Sequence, residues 1–135
     1  MKKVIALRDD GYPITTQLCV TWNLQNVYYM DEVLTWAETM DFDSVHFNLM
    51  HDPWEFSIVS TPKQAKSPLM LYLQKCQVKW TKYSQDIHSI KEIIVQSRHE
   101  DAEGLHKKLR LTDLYRNQNF AESHAKMAKI IKYEL

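Results

Sequence analysis

The sequence predicts an α/β chain, heavier in helix than in strand, organised around one strand–helix–strand unit and followed by a helical tail. Three observations predict it. Ile14, Thr16, Leu18, Val20 and Trp22 alternate with Thr15, Gln17, Cys19 and Thr21, a two-residue period rich in β-branched and aromatic types. Val33, Leu34, Ala37 and Met40 then recur at helical spacing behind Asp31 and Glu32, carboxylates that favour a helix N-terminus. A second alternating run puts Val45, Phe47 and Leu49 on one face. Two strands joined through a helix need a crossover, which makes them parallel. The expected elements are strands at 14–22 and 44–49 with a helix at 29–40 between them. In such units function gathers at the carboxyl ends of the strands. Those ends are Thr21-Trp22-Asn23 and Asn48-Leu49-Met50-His51-Asp52-Pro53.

The remaining elements follow in order. Val4, Ile5 and Leu7 precede Arg8-Asp9-Asp10-Gly11, so residues 2–9 are expected to end a helix at Gly11. Pro13 restricts Tyr12 and launches the first strand. A helix opening the chain would usually pack against earlier elements, which suggests a missing upstream part. After the second strand comes a loop, 50–60, carrying Trp54, Phe56 and Ile58. Thr61-Pro62 signals a helix start, and Ser67-Pro68 repeats the signal. A proline deep in a helix costs about 3 kcal/mol, so a short first turn and a restart at Ser67 are expected, giving a helix at 67–79. Leu69, Leu73 and Cys76 form its apolar side. Ile87, Ile90 and Ile94 mark a helix at 83–98. Leu105, Leu109 and Thr112, with Leu111, Leu114 and Tyr115 as a neighbouring ridge, mark another at 103–117, weakly interrupted by Gly104. Asn119 and Glu122 resemble a capping box ahead of a last helix at 120–133, lined by Phe120, Met127 and Ile131.

Composition excludes several function classes. The 135 residues suit one domain with a real core. Seventeen basic residues balance 17 acidic ones, so bulk electrostatics predict no nucleic-acid binding. No apolar run approaches ~18 residues, so no membrane span is expected. The cytoplasm follows by default. Cys19 and Cys76 match no metal spacing or disulfide framework and are expected as buried free thiols. The six histidines lack the spacing of a zinc protease helix; His88, His99, His106 and His124 are expected in water. Two glycines are too few for a nucleotide-binding loop. A Cys19–His46 catalytic pair has nothing that singles it out.

His46 and Asn48 lie opposite Val45, Phe47 and Leu49, as Gln17 and Thr21 lie on the polar side of the first strand. In a closed barrel that side is the lumen, where substrates sit. In an open two-stranded unit it is solvent.

Two stretches together resemble a known family. One runs Thr21-Trp22-Asn23-Leu24-Gln25-Asn26-Val27-Tyr28-Tyr29-Met30-Asp31-Glu32 and on to His46-Phe47-Asn48-Leu49-Met50-His51-Asp52-Pro53. The other is Thr112-Asp113-Leu114-Tyr115-Arg116-Asn117-Gln118-Asn119-Phe120. Their order resembles the C-terminal half of radical SAM proteins of the twitch-domain type, frequent in phages and bacteria. The resemblance implies a partial (β/α) barrel over 1–79, with 80–135 as a helical extension packed on it. It also implies S-adenosylmethionine and one four-iron–four-sulfur cluster, held in that family by a C-x-x-x-C-x-x-C loop. This chain has no such triad. The expectation is a C-terminal fragment, inactive and without cofactor alone, whose partner is the upstream half of the same protein or a split-gene product. Gln17, Thr21, Asn23, His46 and Asn48 would line the cofactor and substrate cavity, for a small-molecule or peptide substrate. The alternatives are a small non-enzymatic helical interaction module of phage or bacterial origin, and a folded domain of unrelated function.

Overall fold

A computed structural model describes residues 1–97 and 102–134. The central unit is a parallel strand pair, β1 (Gln17–Trp22) and β2 (Ser44–Leu49), with α2 (Met30–Thr39) between them and α1 (Lys2–Asp9) ahead. The register runs from Gln17 opposite Ser44 to Trp22 opposite Leu49. Because side chains alternate, this register sorts the pair into two faces. Leu18, Val20 and Trp22 pack inward with Val45, Phe47 and Leu49, and the Trp22 and Phe47 rings meet at 5.3 Å. Gln17, Cys19, Thr21, His46 and Asn48 are exposed on the other face, with Ser44 half-buried. Cys19 is therefore not the buried thiol expected from the sequence; only Cys76 is.

The first strand starts three residues later than the alternation predicts. β2 begins at Ser44, so residues 14–16 have no strand to pair with. Instead the Thr16 N–H and hydroxyl donate to the Asp43 carboxylate at 2.6 and 2.7 Å. These bonds, helped by Arg8, hold the Asp43 carboxyl below its usual range. Arg8 also donates to the Asp41 carbonyl at 2.6 Å, tying α1 to the sheet. α1 ends near Gly11, whose φ of 90° suits glycine alone. It buries none of its residues, and Val4 and Leu7 stay exposed.

A larger departure is α3 (Lys63–Lys79), one continuous helix through Pro68 rather than a restart at Ser67. Pro62 sits just before its first residue. Ala65, Leu69, Leu73 and Cys76 form a buried stripe. An internal proline costs about 3 kcal/mol, but burying each leucine returns about 1.5–3 kcal/mol. The stripe therefore outweighs the missing hydrogen bond. Against it packs α4 (Ser84–Gln96), whose Ile87, Ile90 and Ile94 are buried at the predicted spacing; residue 98 of the predicted helix lies outside the described residues.

α5 (Glu103–Arg116) stops at Asn117, which takes the left-handed conformation. The predicted last helix is two: α6 (Phe120–Ser123) and α7 (Ala125–Ile131), broken at His124. Asn119 caps α6 by accepting from Ala121 N–H at 2.9 Å. Glu122 binds the Asn119 side-chain amide instead of closing the box on its backbone. One buried cluster runs from Trp22 through Leu69 and Ile87 to Met127 and Tyr133, drawing on both halves of the chain.

The junction of α2 with α3 concentrates titratable groups. Tyr72 accepts from the Asp31 N–H at 2.9 Å, and Asp31 accepts from Lys79 at 2.7 Å and from the Trp80 indole at 2.8 Å. Burial pushes the Tyr72 hydroxyl and the Cys76 thiol above their ordinary values. Burial and the bond to Asp113 push Tyr133 up to about 12. An acid whose folded pKa is raised loses its proton first in the unfolded chain, so its stabilisation falls as pH rises past the unfolded value. Stability should therefore decline above about pH 9, where an unfolded cysteine begins to ionise. Urea unfolding should show a lower midpoint at about pH 10.5 than at about pH 8; equal midpoints would contradict this assignment.

Candidate functional site at the carboxyl ends of the strands

The five residues singled out from the sequence divide into two places. Gln17, Thr21, His46 and Asn48 share the open polar face. The register sets Thr21 beside Asn48 and Cys19 beside His46, and Gln17 donates to the Ser44 hydroxyl at 3.2 Å. Asn23 leaves that face. It is buried, its side-chain oxygen accepts from Gln25 N–H at 2.8 Å, and its amide donates to the Thr21 carbonyl at 3.3 Å. Asparagine favours such local bonds, which compete with continued strand. Asn26 completes the turn, accepting from Asn23 N–H at 2.9 Å and donating to the Thr21 carbonyl at 3.0 Å. The strand end is thus closed by two asparagines, and the chain passes through the turn Val27–Tyr29 into α2.

Across from this turn lie the end of α5 and the start of α6, so that the 23–26 turn and residues 112–120 line one cleft. Between them is a cleft of about 270 Å³. Asn23, Gln25 and Asn26 form one wall; Asp113, Arg116 and Gln118 form another; Phe120, Ser123 and His124 close it. Asp113 is occupied: Oδ1 accepts from Phe120 N–H at 3.0 Å, and Oδ2 from Phe120 N–H at 3.1 Å and the Tyr133 hydroxyl at 2.9 Å. Arg116 makes no hydrogen bond or ion pair among the described residues.

His124 is the residue that sequence reading missed. It is half-buried rather than solvated. Its ring lies parallel to Phe120 at 4.8 Å and edge-on to Tyr29 at 5.5 Å. Burial between these rings holds it below the usual histidine pKa, against the opposing pull of Asp113. The available signal was Phe120 four residues earlier, which puts the two rings on one helix face. His106 is also packed, its Nε2 2.8 Å from the Ile131 carbonyl. His88 is exposed as expected, and His99 lies outside the described residues.

Two further features bear on chemistry. The Trp22 indole N–H is buried and has no hydrogen-bond partner among the described residues. Among the described residues no group of three or more His, Cys, Asp or Glu stands together to hold a metal ion, and no helix is long and apolar enough to cross a membrane.

The fold and the site define an α/β chain whose parallel strand pair is covered on one face only. No protein-family model matches it, and no match is found among curated proteins or among solved structures.

Proposed function

We propose that this chain is the C-terminal part of a radical SAM-like enzyme of the twitch-domain type, supplying β1 and β2 to a partial (β/α) barrel. The observation that carries this reading is the bare sheet face. Parallel strands normally have both faces covered, and a two-stranded sheet has little stability by itself. Here helices cover the apolar face alone, while Gln17, Cys19, Thr21, His46 and Asn48 stand exposed in register. A barrel segment, with helices outside and a polar lumen inside, would present its strands in this way, which supports the reading. The uncovered Val4 and Leu7 of α1 also suit a neighbouring element.

In this reading Gln17, Thr21, His46 and Asn48 line the cavity for S-adenosylmethionine and substrate, and Asn23 shapes its rim. This chain's thiols do not fit a four-iron cluster, which needs about three or four thiolates together. Cys19 is on the open face and Cys76 is buried in α3. The cluster ligands belong to an upstream half, in the same protein or a split-gene partner, in the cytoplasm.

The test is reassembly. Mixed anaerobically with an upstream half of the twitch-domain type bearing the three-cysteine loop, the chain should bind it and restore S-adenosylmethionine cleavage. Thr21→Ala or Asn48→Ala should weaken cofactor binding by about 1–3 kcal/mol, the cost of unpairing a buried polar group. Cleavage by the isolated 135-residue chain would sink the fragment reading. Full activity of the double variant would sink the site assignment alone. A second reading, a non-enzymatic interaction module, is favoured by the exposed ridge of Leu111, Leu114 and Tyr115 on α5. It predicts capture of a partner protein with no cofactor binding in any mixture.

A further inference from the structure

We propose that the cleft between the 23–26 turn and the end of α5 binds a small carboxylate carrying a hydroxyl or N–H next to the carboxylate. Arg116 is its anchor and His124 Nε2 its acceptor. The cleft is built by this chain alone, so the inference stands apart from the barrel reading.

The charge of the ligand follows from which groups are already used. Asp113 has both oxygens engaged by Phe120 N–H and the Tyr133 hydroxyl. Asn23 and Asn26 spend their side chains on closing the strand end. The free polar groups are then the Arg116 guanidinium and the Gln25 and Gln118 amides, dominated by donors. A guanidinium presents paired N–H groups that match the two oxygens of a carboxylate. A cation would meet Arg116 with no free carboxylate to offset it.

The neighbouring donor on the ligand follows from the histidine tautomer. Ser123 Oγ donates its single hydrogen to the Asn119 carbonyl at 3.0 Å. With that hydrogen on Asn119, Nδ1 is the donor in the 2.8 Å contact between Oγ and His124, the tautomer the proposal requires. A neutral ring protonated on Nδ1 leaves Nε2 as an acceptor. The stacked Phe120 and edge-on Tyr29 fix the ring in place, so this acceptor is preorganised. An N–H or O–H beside the carboxylate satisfies it.

The test is an amide and histidine-ring NMR titration of the full chain with lactate, N-acetylglycine, acetate and inorganic phosphate. Lactate or N-acetylglycine should shift Asn26, Gln118 and His124 Nε2 together and bind at least tenfold more tightly than acetate. Whichever of the two binds better tells whether a free hydroxy acid or a peptide carboxyl end is the source. Arg116→Ala should weaken binding at least tenfold, and it breaks no hydrogen bond among the described residues, so the fold is preserved. Lys129→Ala, removing an exposed charge outside the cleft, should leave binding unchanged. Phosphate binding as well as lactate, equal losses for both variants, or shifts confined to surfaces away from His124 would each overturn the proposal.

Discussion

Leu73→Ala is expected to lower the unfolding free energy by about 2–5 kcal/mol. Leu73 has no exposed surface and sits in the α3 stripe between Leu69 and Cys76, facing the isoleucines of α4. Two helices pressed together cannot easily collapse into the space of a lost isobutyl group, so the cavity adds to the lost transfer energy. A domain of this size is stable by about 5–15 kcal/mol, so this one substitution removes a large share. The same helix supplies its own control. Leu71, two residues away, is 63% exposed, and Leu71→Ala should stay within about 0.5 kcal/mol of the parent. Urea unfolding followed by circular dichroism separates the two. Similar midpoints for both variants would mean that α3 is not packed as described.

The second large effect belongs to Asp113. Its carboxylate holds the start of α6 through Phe120 N–H and the end of the chain through the Tyr133 hydroxyl. Tyr133 is 4% exposed, so Asp113→Ala leaves a buried hydroxyl and a backbone N–H without their acceptor. Each unpaired buried group costs about 1–3 kcal/mol, giving a loss of roughly 2–5 kcal/mol for the pair, with overlap between them. Asp113→Asn keeps one acceptor oxygen and should lose less. A second readout isolates the bond itself. With the carboxylate gone, the Tyr133 hydroxyl should titrate below its present value of about 12, visible in the ultraviolet phenolate band. An unchanged Tyr133 titration together with parent stability would remove Asp113 from its role in tying down the C-terminal helices.

The parts legible in the sequence were those set by local periodicity. Val45, Phe47 and Leu49 could only alternate, and β2 stands at 44–49. Ile87, Ile90 and Ile94 recur at 3.6-residue spacing, and all three are buried on α4. The parallel pairing followed from the helix between the strands. The division of Gln17, Thr21, His46 and Asn48 from the apolar residues was legible too, because a strand's two faces are fixed by residue parity.

What the alternation could not state is whether that polar face is covered. Cys19 was expected in a core and stands exposed, since among the described residues no element packs over that face. Asn23 has the same parity as Thr21 but turns inward, because its amide finds backbone partners two residues away on either side. Pro68 looked like a helix stop, and its local cost is real. The buried stripe on both sides of it, seen only once α3 meets α4, carries the helix through. At His124 the outcome reverses: a run with continuous helical periodicity is broken, and the ring there packs against Phe120 and edge-on to Tyr29, nearly a hundred positions earlier. Sequence by itself determined the strand–helix–strand order, the buried stripe of α4 and the two faces of the sheet, all properties of neighbours in the chain. Tertiary structure alone decided which faces are covered, where helices tolerate or yield to a break, and that Arg116, His124 and the 23–26 turn meet in one cleft. Those outcomes depend on contacts between distant segments, whose energies no local window contains.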